Sequence, residues 1–376
     1  MAKQPLTVCI VLGTRPEAIK LAPVIQVFQE SSIFKTQVVL TGQHQEMVEQ
    51  VMQLFGLNAE QNLEIMQSKQ SLTDITCRCL QGLERLFQEN QPQLVLVQGD
   101  TTTAFAAALA AFYQKIPVGH IEAGLRTDDL CNPYPEEANR RLISQLSSLN
   151  FAPTRLAVEN LQRSGVVGEI HQTGNTVIDA LLSVAKRRPA CKVSGLEWEK
   201  YRVLLATVHR RENWGEPLLL VAQGFLQILE KFPDTALLLP LHRNPIVREP
   251  LQILLGNHPR IFLTEPLDYA ELVGAIQRSY LLLTDSGGLQ EEAPSLGKPV
   301  LVLRETTERQ ESIAAGTAQL VGTDPAKILA ATSELLSDPA AYQAMATAIN
   351  PFGDGRSAQR IFQIVKNYLR LSVGST

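Results

Sequence analysis

The chain has 376 residues, 45% hydrophobic and 19% charged, which is the ordinary globular range and, at about 150 residues per domain, predicts two domains. Lys and Arg number 34 against 38 Asp and Glu, a net charge of -4; this argues against a nucleic-acid binder but allows a local basic pocket for a phosphorylated ligand. No apolar run approaches the roughly 20 residues of a membrane span, so no membrane association is expected.

Taken in chain order, the first element is the apolar run Leu6–Leu12. Lys3 precedes it, and Arg15 and Glu17 follow with no small-residue cleavage site. It therefore reads as a buried first strand and not as a signal peptide. The same pattern of a short apolar run, a polar or Gly-containing turn and an amphipathic helix then recurs. Val38–Leu40 leads to TGQH, Leu94–Val97 to QGDTTT and an Ala-rich helix, and Pro117–Ile121 to EAGLRT. Further on, Val203–Ala206 leads to TVHRREN, Ala236–Leu239 to PLHRNP and Leu281–Leu283 to TDSGGLQEE. Strands alternating with helices predict an α/β fold with parallel sheets, covered on both faces because the runs are nearly continuous. A composition shift over 185–200 (KRRPACKVSGLEWEK) marks a linker, and a second α/β unit opens near Tyr201. The turn NPFGDG introduces a last amphipathic helix from Arg356 to Leu371. The expected boundaries are 1–190, 191–355 and 356–376, with two units offering their strand ends across a cleft.

Five scattered cysteines (Cys9, Cys77, Cys79, Cys131, Cys191) suggest neither a disulfide framework nor a zinc site, and a reducing cytoplasm fits best. Cys77 and Cys79 fall on different faces of a predicted helix. There is no G-x-x-x-x-G-K-[ST] phosphate loop and no Asp-x-Asp. Gly353–Ala358 matches G-x-G-x-x-A but lacks a preceding strand, so it reads as a turn opening the last helix and not as a dinucleotide fingerprint.

The strand-end clusters carry the chemistry. In TDSGGLQEE, Gly287 and Gly288 permit close backbone approach, and free amides at the helix start suit a phosphate. Ser286 adds a hydroxyl, and Glu292 is placed to accept from ribose hydroxyls. In GTRPE, Pro16 suits the first helical position. Arg15 and Lys20 then fall near the helix start, where they either pair with a diphosphate or remain solvated. Asp100 in GDTTT is either a helix cap or a catalytic carboxylate. Glu122 in HIEAG ends the neighbouring strand, and by alternation His120 shares its side. Asp100 and Glu122 thus form a candidate carboxylate pair able to divide acid and base roles. Glu136 in NPYPEEANR enters a helix, where it complements the helix dipole or joins the chemistry. His209 beside Arg210 and Arg211, and His242 beside Arg243, repeat a His–Arg theme at two strand ends, suited to a diphosphate.

Together these segments resemble the non-hydrolysing UDP-N-acetylglucosamine 2-epimerases. The resemblance runs in order through GTRPEAIKLAPVI, TGQHQEM, QGDTTTAFAAALAAF, HIEAGLRT, PYPEEANRR, TGNTVID, TVHRREN, TDSGGLQEEAPSLGKPVLVLRETTERQE and NPFGDGRSAQRI, essentially the whole chain. It implies a GT-B architecture of two Rossmann-like domains, with a C-terminal helix returning to the first, and a homodimer. It implies UDP-N-acetylglucosamine and UDP-N-acetylmannosamine as ligands, no cofactor and no essential metal. The positions matching Arg15, Lys20, Asp100, Glu122, His209, Leu267, Ser286, Gly288, Glu292 and Arg309 surround the UDP-sugar in the family. Asp100, Glu122, Glu136 and His209 match those linked to catalysis. Gln43 and His44 match a region where bacterial members hold a second UDP-N-acetylglucosamine as activator, while Glu46 and Lys69 depart from the Gln and Arg of that pattern. Cell-surface polysaccharide synthesis is the context the resemblance implies. A GT-B glycosyltransferase, a hydrolysing epimerase and a catalytically silent nucleotide-sugar sensor are the alternatives; retention of the four catalytic-position residues argues against the last.

Overall fold

In the computed structural model, which describes residues 5–67, 70–127 and 129–374, the apolar runs become two all-parallel sheets. The chain divides into two compact units: one runs to Ala180 and resumes at Phe352, the other comprises Leu181–Pro351. From sequence alone, the two passages fall at 190 and 355.

The first unit holds β1 (Leu6–Leu12), β2 (Phe34–Leu40), β3 (Gln61–Asn62), β4 (Leu94–Gln98), β5 (Val118–Ile121), β6 (Leu149–Ala152) and β7 (Glu169–Gln172). Their order is β3-β2-β1-β4-β5-β6-β7. Between them lie α1 (Arg15–Gln29), α2 (Gln45–Phe55), α3 (Leu72–Asn90), α4 (Thr102–Tyr113), α5 (Glu136–Leu146) and α6 (Arg155–Arg163), and α7 (Thr176–Ala185) follows β7. The strand order reverses between β1 and β4, which pair with Val8 opposite Leu94. Cys9 and Val11 of β1 pack with Cys79 and Leu83 of α3 and with the alanines 104–111 of α4. Small side chains on α4 let two helices share that face, and each fully buried Val or Leu there contributes about 1.5–3 kcal/mol. Cys79 is buried and Cys77 exposed, as the helical spacing predicts, and all five cysteines are free.

The second unit repeats the plan. Its strands are β8 (Arg202–Thr207), β9 (Thr235–Pro240), β10 (Ile261–Thr264), β11 (Leu281–Thr284), β12 (Val300–Val302) and β13 (Ala318–Leu320). Their order, β10-β9-β8-β11-β12-β13, reverses between β8 and β11. Its helices are α8 (Glu216–Lys231), α9 (Pro245–Leu255), α10 (Tyr269–Arg278), the single-turn-and-a-half α11 (Gly287–Glu292), α12 (Gln310–Ala314), α13 (Pro325–Ser337) and α14 (Pro339–Ala346).

The chain returns to the first unit through α15 (Ser357–Gly374). Gly353–Ala358 follows a helix and a turn, with no strand before it, and so opens α15 without forming a dinucleotide fingerprint. Asp179 of α7 caps this helix, accepting from the amides of Ser357 (3.2 Å) and Ala358 (2.9 Å). Phe362 meets Phe28 of α1 edge-on at 5.2 Å and Phe34 of β2 at 5.5 Å, contacts worth about 0.5–1.5 kcal/mol each beyond their buried area. Among the described residues, no helix is long and apolar enough to cross a membrane.

Candidate active site

Where the strand order of a doubly wound sheet reverses, the loops after the two flanking strands part and leave a crevice at their carboxyl ends. In the first unit these are the loops after β1 and β4; the first leads into Arg15 at the start of α1 and the second carries Asp100. Gly13 lets the first loop pass: a Cβ there would stand 2.2 Å from the Thr41 hydroxyl and 2.6 Å from that of Thr103.

Asp100 does not cap α4. The cap is Thr101, whose hydroxyl accepts from the Ala104 amide at 3.0 Å. The Asp100 carboxylate instead pairs with Arg140 of α5, and its carbonyl accepts from Asn139 at 2.9 Å. Burial pushes the Asp100 carboxyl above the usual carboxylate range; Arg140 opposes this and Glu122 reinforces it. Glu122 lies one residue beyond β5 with φ +65, so strand alternation no longer sets its direction. Lys20 of α1 donates to both its oxygens, at 2.7 and 2.5 Å, and Gln98 donates to one of them. Asn175 adds a longer contact of 3.4 Å. Lys20 thus stands on a carboxylate of the pair. Neighbouring His120 is fully buried. Its Nε2–H donates to the Gly99 carbonyl at 2.7 Å, and burial holds its pKa down at about 4, the bond to Gly99 opposing. It is therefore a neutral ring supporting the Asp100 turn. Glu136 is half-buried at the first residue of α5, with no hydrogen bond or ion pair among the described residues. Arg15 is likewise half-buried and without such a partner.

Gln43 accepts from the Thr103 hydroxyl at 2.9 Å, and the His44 amide donates to the Gly13 carbonyl at 2.9 Å. Both join the same loop cluster. Glu46 is exposed on α2, and Lys69 lies outside the described residues.

In the second unit the reversal lies between the loops after β8 and β11. Asp285 is fully buried there and joins the two loops. Its Oδ2 accepts from the amides of His209 and Arg210, both at 2.8 Å, and from the Asn213 side chain at 3.1 Å. Its Oδ1 stands 3.0 Å from His209 Nδ1. Burial pushes the Asp285 carboxyl up, but His209 and the two amides outweigh it and hold the group below its usual range. The His209 ring also stacks on His242 at 6.0 Å, so the two His–Arg strand ends meet. Ser286 opens α11, and its hydroxyl makes no capping bond. Gly287 is closely packed: a Cβ would meet Glu308 at 3.0 Å and Arg210 at 3.4 Å, whereas Gly288 has room. Glu292 is buried and accepts from the Tyr269 hydroxyl at 3.0 Å. Leu267, two residues earlier in the chain than Tyr269, is half-buried against the core. Arg309 is held by Glu291. Glu308, between Arg309 and Arg304, is pulled down to about 2 by these cations despite its burial.

Glu17, Gln98, Arg140, Asn175 and Asp285 are among the members of these clusters that the sequence motifs do not single out. Asp285 is an acid directly at a strand end before Ser-Gly-Gly, the one signal present in the sequence. Glu17 completes a Thr-x-x-Glu pattern that reads as ordinary helix capping. Arg140, Gln98 and Asn175 give no local signal, because their partners lie 40, 24 and 53 residues away.

Two doubly wound units, each with a polar cluster at its reversal point, define an α/β enzyme of the GT-B class. A family model described as UDP-N-acetylglucosamine 2-epimerase matches residues 26–366. The UDP-N-acetylglucosamine 2-epimerase of Salmonella typhimurium is 48% identical over 372 residues, 96% of this chain and 99% of that protein. The crystal structure of UDP-GlcNAc 2-epimerase from Neisseria meningitidis bound to UDP-GlcNAc superposes with a TM-score of 0.86 at 45% identity, covering 96% of this chain and 100% of the other. The glycotransferase of kitacinnamycin, 12% identical over 97% of this chain and 99% of its own, has a TM-score of 0.66 and shares the fold alone. The chain belongs to the UDP-N-acetylglucosamine 2-epimerase family and is an enzyme of that kind.

Proposed function

We propose that this enzyme interconverts UDP-N-acetylglucosamine and UDP-N-acetylmannosamine by eliminating UDP and adding it back. The C2 proton is not acidified by an adjacent carbonyl, so direct exchange is slow. Elimination avoids this. A base takes the C2 proton, the C–H electron pair becomes the C1–C2 double bond of a 2-acetamidoglucal, and the C1–O bond breaks with its pair leaving on UDP. In the return step a UDP oxygen attacks C1 while a proton arrives at the opposite face of C2. The route needs no hydride carrier.

The observation that carries this reading is the first unit's trio of carboxylates with three different environments. Asp100 is raised by burial and faces Arg140, Glu122 is gripped by Lys20, and Glu136 has no partner among the described residues. Carboxylates set apart in this way suit opposite proton-transfer roles at one carbon. The second unit supplies the other requirement, stabilisation of the departing diphosphate where its charge grows. His209, Ser286, the Gly287 and Gly288 amides and Arg309 are the groups for it, with Glu292 and Leu267 holding the nucleoside. Arg15 of the first unit adds a cation.

The test is turnover in heavy water with no acceptor present. Deuterium should enter C2 of both sugars. Product without solvent deuterium at C2, or turnover only when an acceptor is added, overturns the reading.

A further inference from the structure

Glu17 is a buried carboxylate of the first unit that the proposed chemistry does not use. It is 1% exposed. Its Oε2 accepts from the backbone amides of Gly13 (3.0 Å) and Thr14 (2.7 Å), in the loop after β1. Its Oε1 accepts from the Thr101 hydroxyl at 2.6 Å, in the loop after β4. The first loop leads directly into Arg15, and Thr101 directly follows Asp100. One side chain thus ties together the two loops that part at the reversal point of the sheet. In the second unit, Asp285 makes the equivalent bridge, from the β11 loop to two amides of the β8 loop. The two bridges are built independently: Glu17 reaches out of the first turn of a helix, Asp285 out of a strand end.

We infer that Glu17 is a positioning residue for the reaction, fixing the loop of Arg15 and the loop of Asp100 against each other. This rests on the function proposed above. Glu17 touches no reacting atom on this reading; it acts through the geometry of Asp100 and Arg15. Placement matters because a misplacement of about 1 Å in a reacting group can cost about 100-fold in rate.

Three single variants and one double variant separate positioning from mere support. In Glu17→Gln the amide oxygen stays on the two backbone donors, and the NH2 meets the Thr101 oxygen. The loop is retained, but the hydroxyl loses its acceptor. Burial pushes the Glu17 carboxyl up, with the hydrogen bonds from Thr101, Thr14 and Gly13 opposing, so removing the charge also removes a desolvation cost. Little loss of thermal stability is therefore expected. Thr101→Val removes the bridge from the other side together with the α4 cap, a loss of support that the unfolding midpoint reads, and Thr101→Ser restores both.

The readouts are kcat from deuterium entry at C2, UDP affinity by calorimetry, and the unfolding midpoint. The expected result is a fall in kcat of about ten-fold or more in Glu17→Gln and Thr101→Val, with UDP affinity, to which Arg15 is one of several contributors, falling much less. Thr101→Ser should recover most of the loss in Thr101→Val, and the double variant should be no worse than the poorer single one. Turnover per folded molecule at the wild-type level, independent additive losses, or a fall in UDP affinity equal to the fall in kcat each overturn the inference. A wild-type protein that puts no deuterium at C2 overturns the proposed function first, and this inference with it.

Discussion

Replacing Asp285 by Asn probes the second unit's bridge. The Asp285 carboxylate accepts three N–H bonds on Oδ2 and faces His209 Nδ1 from Oδ1. Asn keeps one oxygen. With that oxygen on the three donors, its NH2 confronts Nδ1 at hydrogen-bond distance and forces the ring to accept there, moving the proton to Nε2. Flipping the amide instead sets an NH2 against two backbone N–H groups. Charge-assisted bonds exceed neutral ones by about 1 kcal/mol each. Three weakened bonds therefore amount to about 3 kcal/mol, offset by relief from burying a charge, which leaves a net loss of about 1–2 kcal/mol. The kinetic effect is larger, since a His in the wrong tautomer loses on the order of 100- to 10,000-fold in turnover where its orientation matters.

The pH dependence gives a second axis. The folded Asp285 carboxyl lies below its ordinary range. Its contribution to stability is therefore complete above the ordinary carboxylate range and is lost as pH falls through the folded value. The gap in urea midpoint between wild type and Asp285→Asn should narrow on acidification. Turnover by deuterium entry and urea unfolding at neutral and acid pH together decide the matter. A folded Asp285→Asn protein with turnover within about two-fold of wild type would refute the role given to the His209–Asp285 pair.

Glu122→Gln should lower turnover by about 100-fold or more, the scale of a lost proton-transfer group, while calorimetric UDP affinity stays near wild type; surviving turnover would remove Glu122 from the proton route. For His120, the folded pKa of about 4 lies below the ordinary 6.5. The unfolded chain thus binds the extra proton first, and stability is lost as pH falls from about 6.5 toward 4, by up to about 3 kcal/mol. Urea midpoints of wild type and His120→Gln should converge over that interval, and a constant gap across it would contradict a neutral buried His120.

Much of the architecture was legible in the residues. Strands β1, β4, β8 and β11 show as near-continuous apolar runs because a parallel strand is covered on both faces. The polar segments that follow them bring in Arg15, Asp100, His209 and Ser286. Strands β3, β6 and β7 gave no such signal: β3 has two residues, β6 carries a buried Asn150, and β7 reads EIHQ. In β13 the three residues AQL are interrupted by Gln319 and leave no apolar run.

The alternation of strand and helix, the family and the residue types at the strand ends follow from local periodicity and from motifs read in order. Which strand ends become neighbours follows from packing across each whole sheet. The sheet order brings the loop after β1 beside that after β4, and the loop after β8 beside that after β11, across long stretches of intervening chain. That adjacency made Glu17 and Asp285 the two bridges, and contacts from helices distant in the chain set Arg140 of α5 on Asp100 and Lys20 of α1 on Glu122. A carboxylate's role depends on what surrounds it and how much water reaches it, and both are fixed by packing between residues distant in the chain.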